Sequence, residues 1–265
     1  MTPSPRAAAD AAVVRVVPKH HLLVRLSHWL NIPLLFGLLV TGLSIYWAAP
    51  VFIHPWNPVT HTHDGLADVS VFIARLLHDT HDDPRNWIYN HFSLGTSSLA
   101  SALQIHWLFA YLFMINGAFY LLGLAAGGGW RALLPRGTDP AEAVAMLRYY
   151  LGVVPALLLR KPNPHPQISY KYNALQRAAY FSMPIFGLLI VASGWAMHKP
   201  AMLGWLVPLF INYDGARIVH FVSMVVLGSF VVPHVLLVIA DGFDTFRSMI
   251  TGWSTRVKED GDGHA

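Results

Sequence analysis

Apolar residues in this 265-residue chain are massed into four runs, roughly 26–48, 99–124, 177–198 and 217–240, and most charge lies between them. Crossing a hydrocarbon core of about 30 Å takes about 20 apolar residues in a helix, so each run predicts one membrane span. Two shorter apolar stretches, "YYLGVVPALLL" at 149–159 and "AMLGWLVPLFI" at 201–211, each contain a proline and are too short to cross. They are expected at the interface or packed on the helices. The stretch "ADVSVFIARLLHD" (67–79) has the pattern of a short amphipathic surface helix. Another helix is expected from about Asp139, where aspartate caps and Pro140 and Glu142 suit the first turn. The predicted fold is all-α: an integral membrane four-helix bundle over 19–253, with additional interfacial helices in its loops. The flanking tails, 1–18 and 254–265, are polar or rich in alanine and proline and are expected to be disordered.

Composition agrees with that pattern. Mean hydropathy is +0.44 and charged residues make up only 12%, which excludes an ordinary soluble domain. Cysteine is absent, excluding disulfides, cysteine-ligated iron–sulfur clusters and thioether-linked haem. No apolar run precedes a small-residue cleavage site before Arg25, so no removed signal peptide is expected and the first span should stay as an anchor. All but four of the 18 lysines and arginines fall in the two tails and the 125–177 loop; the exceptions are Arg75, Arg85, Lys199 and Arg217. Positive charge is retained on the cytoplasmic side, so both termini are expected there. The pI near 9.4 then follows from topology: anionic head groups suffice as partners and no nucleic acid is required.

Four histidines lie within the spans. His220 and His234 are fourteen residues apart on the fourth span, close to four turns, which puts both rings on one face about 21 Å apart. With alternating helix directions, His28 falls at the depth of His234 on the inner side, and His106 at the depth of His220 on the outer side. Ionisable groups within a membrane mark function by default; the plainer alternative is imidazoles hydrogen-bonding a neighbouring helix as packing. Zinc takes four protein or water ligands and is poorly served by two histidines per layer. Iron in a porphyrin already has four nitrogens and needs two axial ligands, so the pairs His28/His234 and His106/His220 suit two b-type haems in a four-helix bundle.

Arg25 and Arg217 each lie three residues before an axial candidate, His28 and His220, on the membrane-surface side. A guanidinium fork there suits a haem propionate; snorkelling at a helix end is the alternative. Gly42, fourteen residues after His28, would let a flat macrocycle approach at the outer level.

The R-x-x-H-W opening of the first span, the histidine early in the second, "KYNALQR" before the third and the H-x13-H fourth span together resemble a known family. It is that of the di-haem cytochrome b subunits of formate dehydrogenases, nickel–iron hydrogenases and thiosulfate reductases, and the likeness covers roughly 20–253. The resemblance implies a bacterial inner-membrane subunit that exchanges electrons with the quinone pool and with a periplasmic redox protein, such as a molybdopterin oxidoreductase or a c-type cytochrome. It also implies a quinone site lined by Asn173 and His234, with Tyr172 and Gln176 as further contacts. A polar helix start carrying positive-inside charge is the alternative reading of "KYNALQR".

The chain departs from that family's pattern in the outer segment 49–98, rich in histidine (His54, His61, His63, His78, His81, His91) and aspartate (Asp64, Asp68, Asp79, Asp82, Asp83). "HTHD" and "HDTHDD" lack regular ligand spacing, which favours a solvated loop that docks a partner over a metal site. His198, at the outer end of the third span, competes with the outer pair, with an interfacial role preferred. Two other functions compete with the partner-linked reading: a stand-alone quinol oxidase passing electrons to oxygen species, and a histidine-lined metal or proton transporter.

Overall fold

In hydrocarbon a backbone must satisfy its own N–H and C=O groups, and a helix does so within one segment. The computed structural model describes residues 14–257 apart from 49, 52, 55–62, 82, 95–98, 163, 165, 167–171 and 242. In chain order it runs β1 (Val14–Pro18), α1 (Leu22–Ala48), β2 (Ile53–His54), β3 (His63–Asp64), α2 (Gly65–Leu76), α3 (Trp87–Phe92), α4 (Leu99–Ala126) and α5 (Asp139–Leu159). It continues with α6 (Ala174–His198), α7 (Tyr213–Asp241), α8 (Phe243–Thr251) and β4 (Trp253–Val257). Helices α1, α4, α6 and α7 have 27, 28, 25 and 29 residues. At about 1.5 Å per residue each outreaches a bilayer core. The protein is an all-α, multi-pass membrane bundle.

What the spans bury shows which solvent they are built for. Leu26, Phe36, Leu108, Leu122, Leu188, Val232 and Leu236 are exposed, while Ser27, Thr41, Ser44, Asn116, Ser193 and Ser223 are buried. That is the reverse of a soluble domain. Between helices in lipid, small and polar residues allow close approach and hydrogen bonds, and large apolar residues face the acyl chains. The bundle is assembled chiefly from two pairs, α1 along α4 and α6 along α7. A Cβ at Gly37 would lie 2.6 Å from the Phe109 ring and one at Gly123 would lie 2.7 Å from Leu23 Cβ, so α1 and α4 run close along their length.

Three spans begin earlier than hydropathy predicts, at Leu22, Ala174 and Tyr213, because their polar first turns are helical at the head-group level, where hydropathy no longer reports the helix. The 149–159 stretch is the second half of the longer α5, whose start at Asp139 matches expectation. Asp139 is its first residue and not a side-chain cap. Its carboxylate accepts from Arg136 N–H (2.9 Å) and binds the Arg177 guanidinium, which holds it below the usual aspartate range. Arg177, 1% exposed, also reaches Glu142 Oε2 (3.1 Å) and the Tyr172 carbonyl (2.6 Å), while Glu142 Oε1 accepts from Ala174 N–H (2.9 Å). This cluster pins α5 to the start of α6. The 201–211 stretch contains a 3-10 segment, Gly204–Phe210.

The tails need a correction. Composition suggested disorder over 1–18 and 254–265, yet Val14–Pro18 pairs antiparallel with Trp253–Val257, and Lys19 N–H continues the ladder to the Gly252 carbonyl (2.9 Å). Backbone pairing needs no hydrophobic pattern, so composition did not reveal it. Residues 1–13 and 258–265 of those tails lie outside the described residues. The ladder brings the two ends of the described chain together; that end of the bundle is called inner below, and the opposite end outer.

The outer segment is folded over the end of α1. Helix α2 spans Gly65–Leu76 against an expected 67–79. Trp47 lies edge-on to the buried Tyr89 (4.0 Å), and Leu94 N–H donates to Ser44 Oγ (2.8 Å). Asp79 accepts from His81 N–H (3.0 Å) and Trp87 Nε1–H (2.9 Å), which holds its carboxyl below the usual range. No group of three or more histidine, aspartate or glutamate side chains is placed to hold a metal among the described residues. His61 and Asp82 lie outside them, as does Lys171 of "KYNALQR".

Candidate functional site

The spacing seen between His220 and His234 recurs on every span. Fourteen residues separate His28 from Gly42 on α1, His106 from Tyr120 on α4, and Tyr180 from Gly194 on α6. Fourteen residues bring a helix back to nearly the same face about 21 Å along. The bundle therefore carries two layers. The inner holds His28, Tyr120, Tyr180 and His234; the outer holds Gly42, His106, Gly194 and His220.

The structure brings the expected histidines together in the expected pairs. The rings of His28 and His234 are 5.9 Å apart between centres, and those of His106 and His220 are 6.3 Å apart. Metal–nitrogen bonds of about 2 Å to two opposed imidazoles put the ring centres about 6 Å apart, with the ion between them. With no third protein ligand in either layer among the described residues, an ion there needs its remaining donors from elsewhere, and a porphyrin supplies four.

Hydrogen bonding fixes which nitrogen each outer imidazole offers. Thr41 Oγ1 donates its one proton to the Gly37 carbonyl (2.7 Å), so towards His106 Nδ1 (2.8 Å) it accepts. Ser193 Oγ donates to the Leu189 carbonyl (2.6 Å) and accepts from His220 Nδ1–H (3.2 Å). Both imidazoles thus carry hydrogen on Nδ1 and keep a lone pair on Nε2, the protonation a metal ligand needs. Gly42 and Gly194 leave room beside the same two rings: a Cβ there would lie 3.5 Å from His106 Cε1 and 3.2 Å from His220 Cε1.

The inner pair is built differently. His28 meets Trp29 edge-on (5.2 Å), and His234 stacks on Phe230 (5.4 Å). His28 Nδ1 and Arg25 Nε are buried without a hydrogen-bond partner among the described residues. A buried guanidinium N–H lacking an acceptor among the described residues, three residues before His28, fits a carboxylate such as a haem propionate. The rest of Arg25 contacts α8 and the glycine that follows it: Nη2 donates to the Ile250 carbonyl, and the guanidinium fills the space where Gly252 has no side chain. Arg217 pairs with Asp214 (3.1 Å) and reaches the Pro50 carbonyl (3.4 Å), tying α7 to the outer end of α1.

The quinone candidates cluster at the start of α6. Asn173 is its N-cap, its side chain accepting from Gln176 N–H (2.9 Å) while Gln176 Oε1 accepts from Asn173 N–H (3.2 Å). Asn173 Nδ2 also donates to Tyr150 Oη (3.1 Å) on α5. These two side chains are thus engaged in shaping the helix start. Tyr172 belongs to an aromatic series that reaches the inner histidine: Tyr172 to Tyr180 (5.2 Å), Tyr180 to Phe230 (6.5 Å) and Phe230 to His234 (5.4 Å). Burial, and then the nearby Tyr180 and Tyr120, push its hydroxyl up to about 12. It stays protonated, a donor, at any physiological pH.

His198 pairs with neither layer. Its ring lies tilted against Trp107 (3.5 Å) and near Trp195 (6.2 Å) at the outer end of α6. Sequence reasoning missed Thr41, Ser193, Gly194, Tyr120 and Tyr180. Counting fourteen residues on from His106 would have reached Tyr120; α6, lacking an interior histidine, offered no starting point.

A sequence profile described as prokaryotic cytochrome b561 matches residues 19–252. A protein of Azospira oryzae, described provisionally as the protein-methionine-sulfoxide reductase subunit YedZ1, is 30% identical over 218 residues, covering 81% of this chain and 87% of that protein. No solved structure matches the chain.

Proposed function

Because the chain belongs to the prokaryotic cytochrome b561 family, and so is a membrane protein of b-type haem and transmembrane electron transfer, we propose that it joins the quinone pool to a redox protein outside the membrane. In this reading it holds two haems, one on His28 and His234 and one on His106 and His220. Bound haem supplies a one-electron ferric–ferrous couple at each depth. The observation that carries the proposal is the pair of facing imidazole couples, at 5.9 and 6.3 Å, in two layers of one bundle.

Around them the chain positions and screens. Arg25 and Arg217 hold the propionates of the inner and outer groups. Tyr172 donates a hydrogen bond to a quinone oxygen, and Asn173 and Gln176 form the wall of that site through their cap, with His234 behind it. The bundle sits in the bacterial inner membrane with both termini cytoplasmic, as the distribution of lysine and arginine supports. The partner is periplasmic. The Azospira oryzae relative is described as a reductase subunit, and the same arrangement here runs electrons from quinol outward to a reductase.

The decisive experiment is haem stoichiometry on the purified protein in detergent, by pyridine haemochrome assay with a reduced-minus-oxidised spectrum. Two b-type haems per chain, reducible by a quinol analogue, are expected. One or none overturns the two-layer reading.

A further inference from the structure

We infer that Thr41–Gly42 and Ser193–Gly194 are matched sockets for the outer axial imidazoles, and that their hydroxyls set the reduction potential of the outer haem independently of the inner one. The inference rests on the two-haem reading proposed above and adds positioning residues to it.

The two dipeptides do the same thing on different helices. In each, a hydroxyl residue is followed directly by glycine, and both act on one ring. Thr41 Oγ1 meets His106 Nδ1 at 2.8 Å while Gly42 faces His106 Cε1. Ser193 Oγ meets His220 Nδ1 at 3.2 Å while Gly194 faces His220 Cε1. Helices α4 and α7 supply the ligands; α1 and α6, which supply none at this level, supply the sockets. Thr41 and Ser193 are 2% and 0% exposed, so their hydroxyls are shielded from bulk water. Fourteen residues earlier the same helices carry Ser27–His28 and Ala179–Tyr180, so the arrangement is peculiar to the outer layer. At the inner layer, His28 Nδ1 has no acceptor among the described residues.

An acceptor on Nδ1–H gives the imidazole more of the character of its anion and makes it a stronger donor through Nε2. A stronger axial donor favours ferric over ferrous iron and lowers the potential. Each hydroxyl has already committed its own proton to a backbone carbonyl, at 2.7 Å for Thr41 and 2.6 Å for Ser193, so it is held as an acceptor and cannot turn to donate. At Gly194 a Cβ would lie 3.2 Å from His220 Cε1 and press on the ring, whereas at Gly42, 3.5 Å from His106 Cε1, it would make ordinary contact.

The test is potentiometric titration of the detergent-purified holoprotein in wild type, Thr41→Val, Ser193→Ala and the double variant, with haem count and low-spin EPR recorded on each. His220→Leu assigns which midpoint belongs to the outer haem. The outer midpoint is expected to rise in each single variant, by up to roughly tenfold in the reduction equilibrium, about 59 mV for one electron, and further in the double variant. The inner midpoint stays, and the outer EPR signal shifts. Thr41→Ser, which keeps the hydroxyl, retains the wild-type midpoint, and should Thr41→Val lose the outer haem it retains that haem as well. Two haems with an unmoved outer midpoint overturn the sockets alone, as does a Thr41→Ser protein that behaves like Thr41→Val. Fewer than two haems in the wild type overturns the two-haem reading itself.

Discussion

Asn116 on α4 donates from Nδ2 to Asn31 Oδ1 on α1 at 2.8 Å, and the same amide donates to the Ser27 carbonyl at 2.9 Å. It is 2% exposed and lies one helical turn from Tyr120, so a polar clamp joins α4 to α1 next to His28. Interhelical hydrogen bonds in membranes are worth about 0.6 kcal/mol on average and up to about 1.7. Asn116→Leu is expected to lower the stability of the detergent-solubilised protein by roughly 1 kcal/mol, read as a lower thermal midpoint. An unchanged midpoint would show that the clamp adds nothing to packing.

The imidazole pairs make a prediction in whole numbers. His220→Leu and His106→Leu should each leave one haem per chain, and the remaining spectrum should be the same in both. His28→Leu and His234→Leu should leave the other haem. A His220→Leu protein that keeps both haems breaks the pairing.

Tyr172 and Asn173 are adjacent but do different work. Tyr172→Phe removes a hydroxyl held protonated by a pKa of about 12. The KM for a quinol analogue should rise roughly fivefold to tenfold, the worth of one hydrogen bond, while chemical reduction of the haems by dithionite is unaffected. Asn173→Ala removes a helix cap and should cost stability of about 1 kcal/mol, seen as a lower thermal midpoint. Equal effects of the two substitutions on KM would mean that Asn173 itself contacts the quinone.

Asp139 makes the docking of α5 dependent on pH. Arg177 holds its carboxyl below the usual 3.8, so the folded state binds that proton less readily than the unfolded chain. Its contribution is complete above the unfolded value and is lost as pH falls through the lowered folded value. Asp139→Asn should lower the thermal midpoint at pH 7 by a few degrees and speed proteolysis in the 125–172 loop. The difference from wild type should shrink in acid, where the wild-type carboxylate is itself protonated. A constant difference down to pH 3 would remove the ion pair from the explanation.

What could be read from the chain alone was whatever depends on position along one axis. Hydropathy measures how deep a residue can sit, and a fixed rise per residue turns sequence separation into depth, so the four spans, the two levels and the pairs His28/His234 and His106/His220 followed from counting. What faces what across the bundle depends on the rotation of each helix and on which helices touch, and hydropathy averages both away. Only the tertiary structure therefore placed Thr41 and Ser193 against the outer imidazoles, set Tyr172 and Tyr180 in line with His234, and turned Asn173 and Gln176 towards each other as a cap. The ladder between Val14–Pro18 and Trp253–Val257 was hidden for a related reason: it is made by backbone groups, which every sequence carries alike.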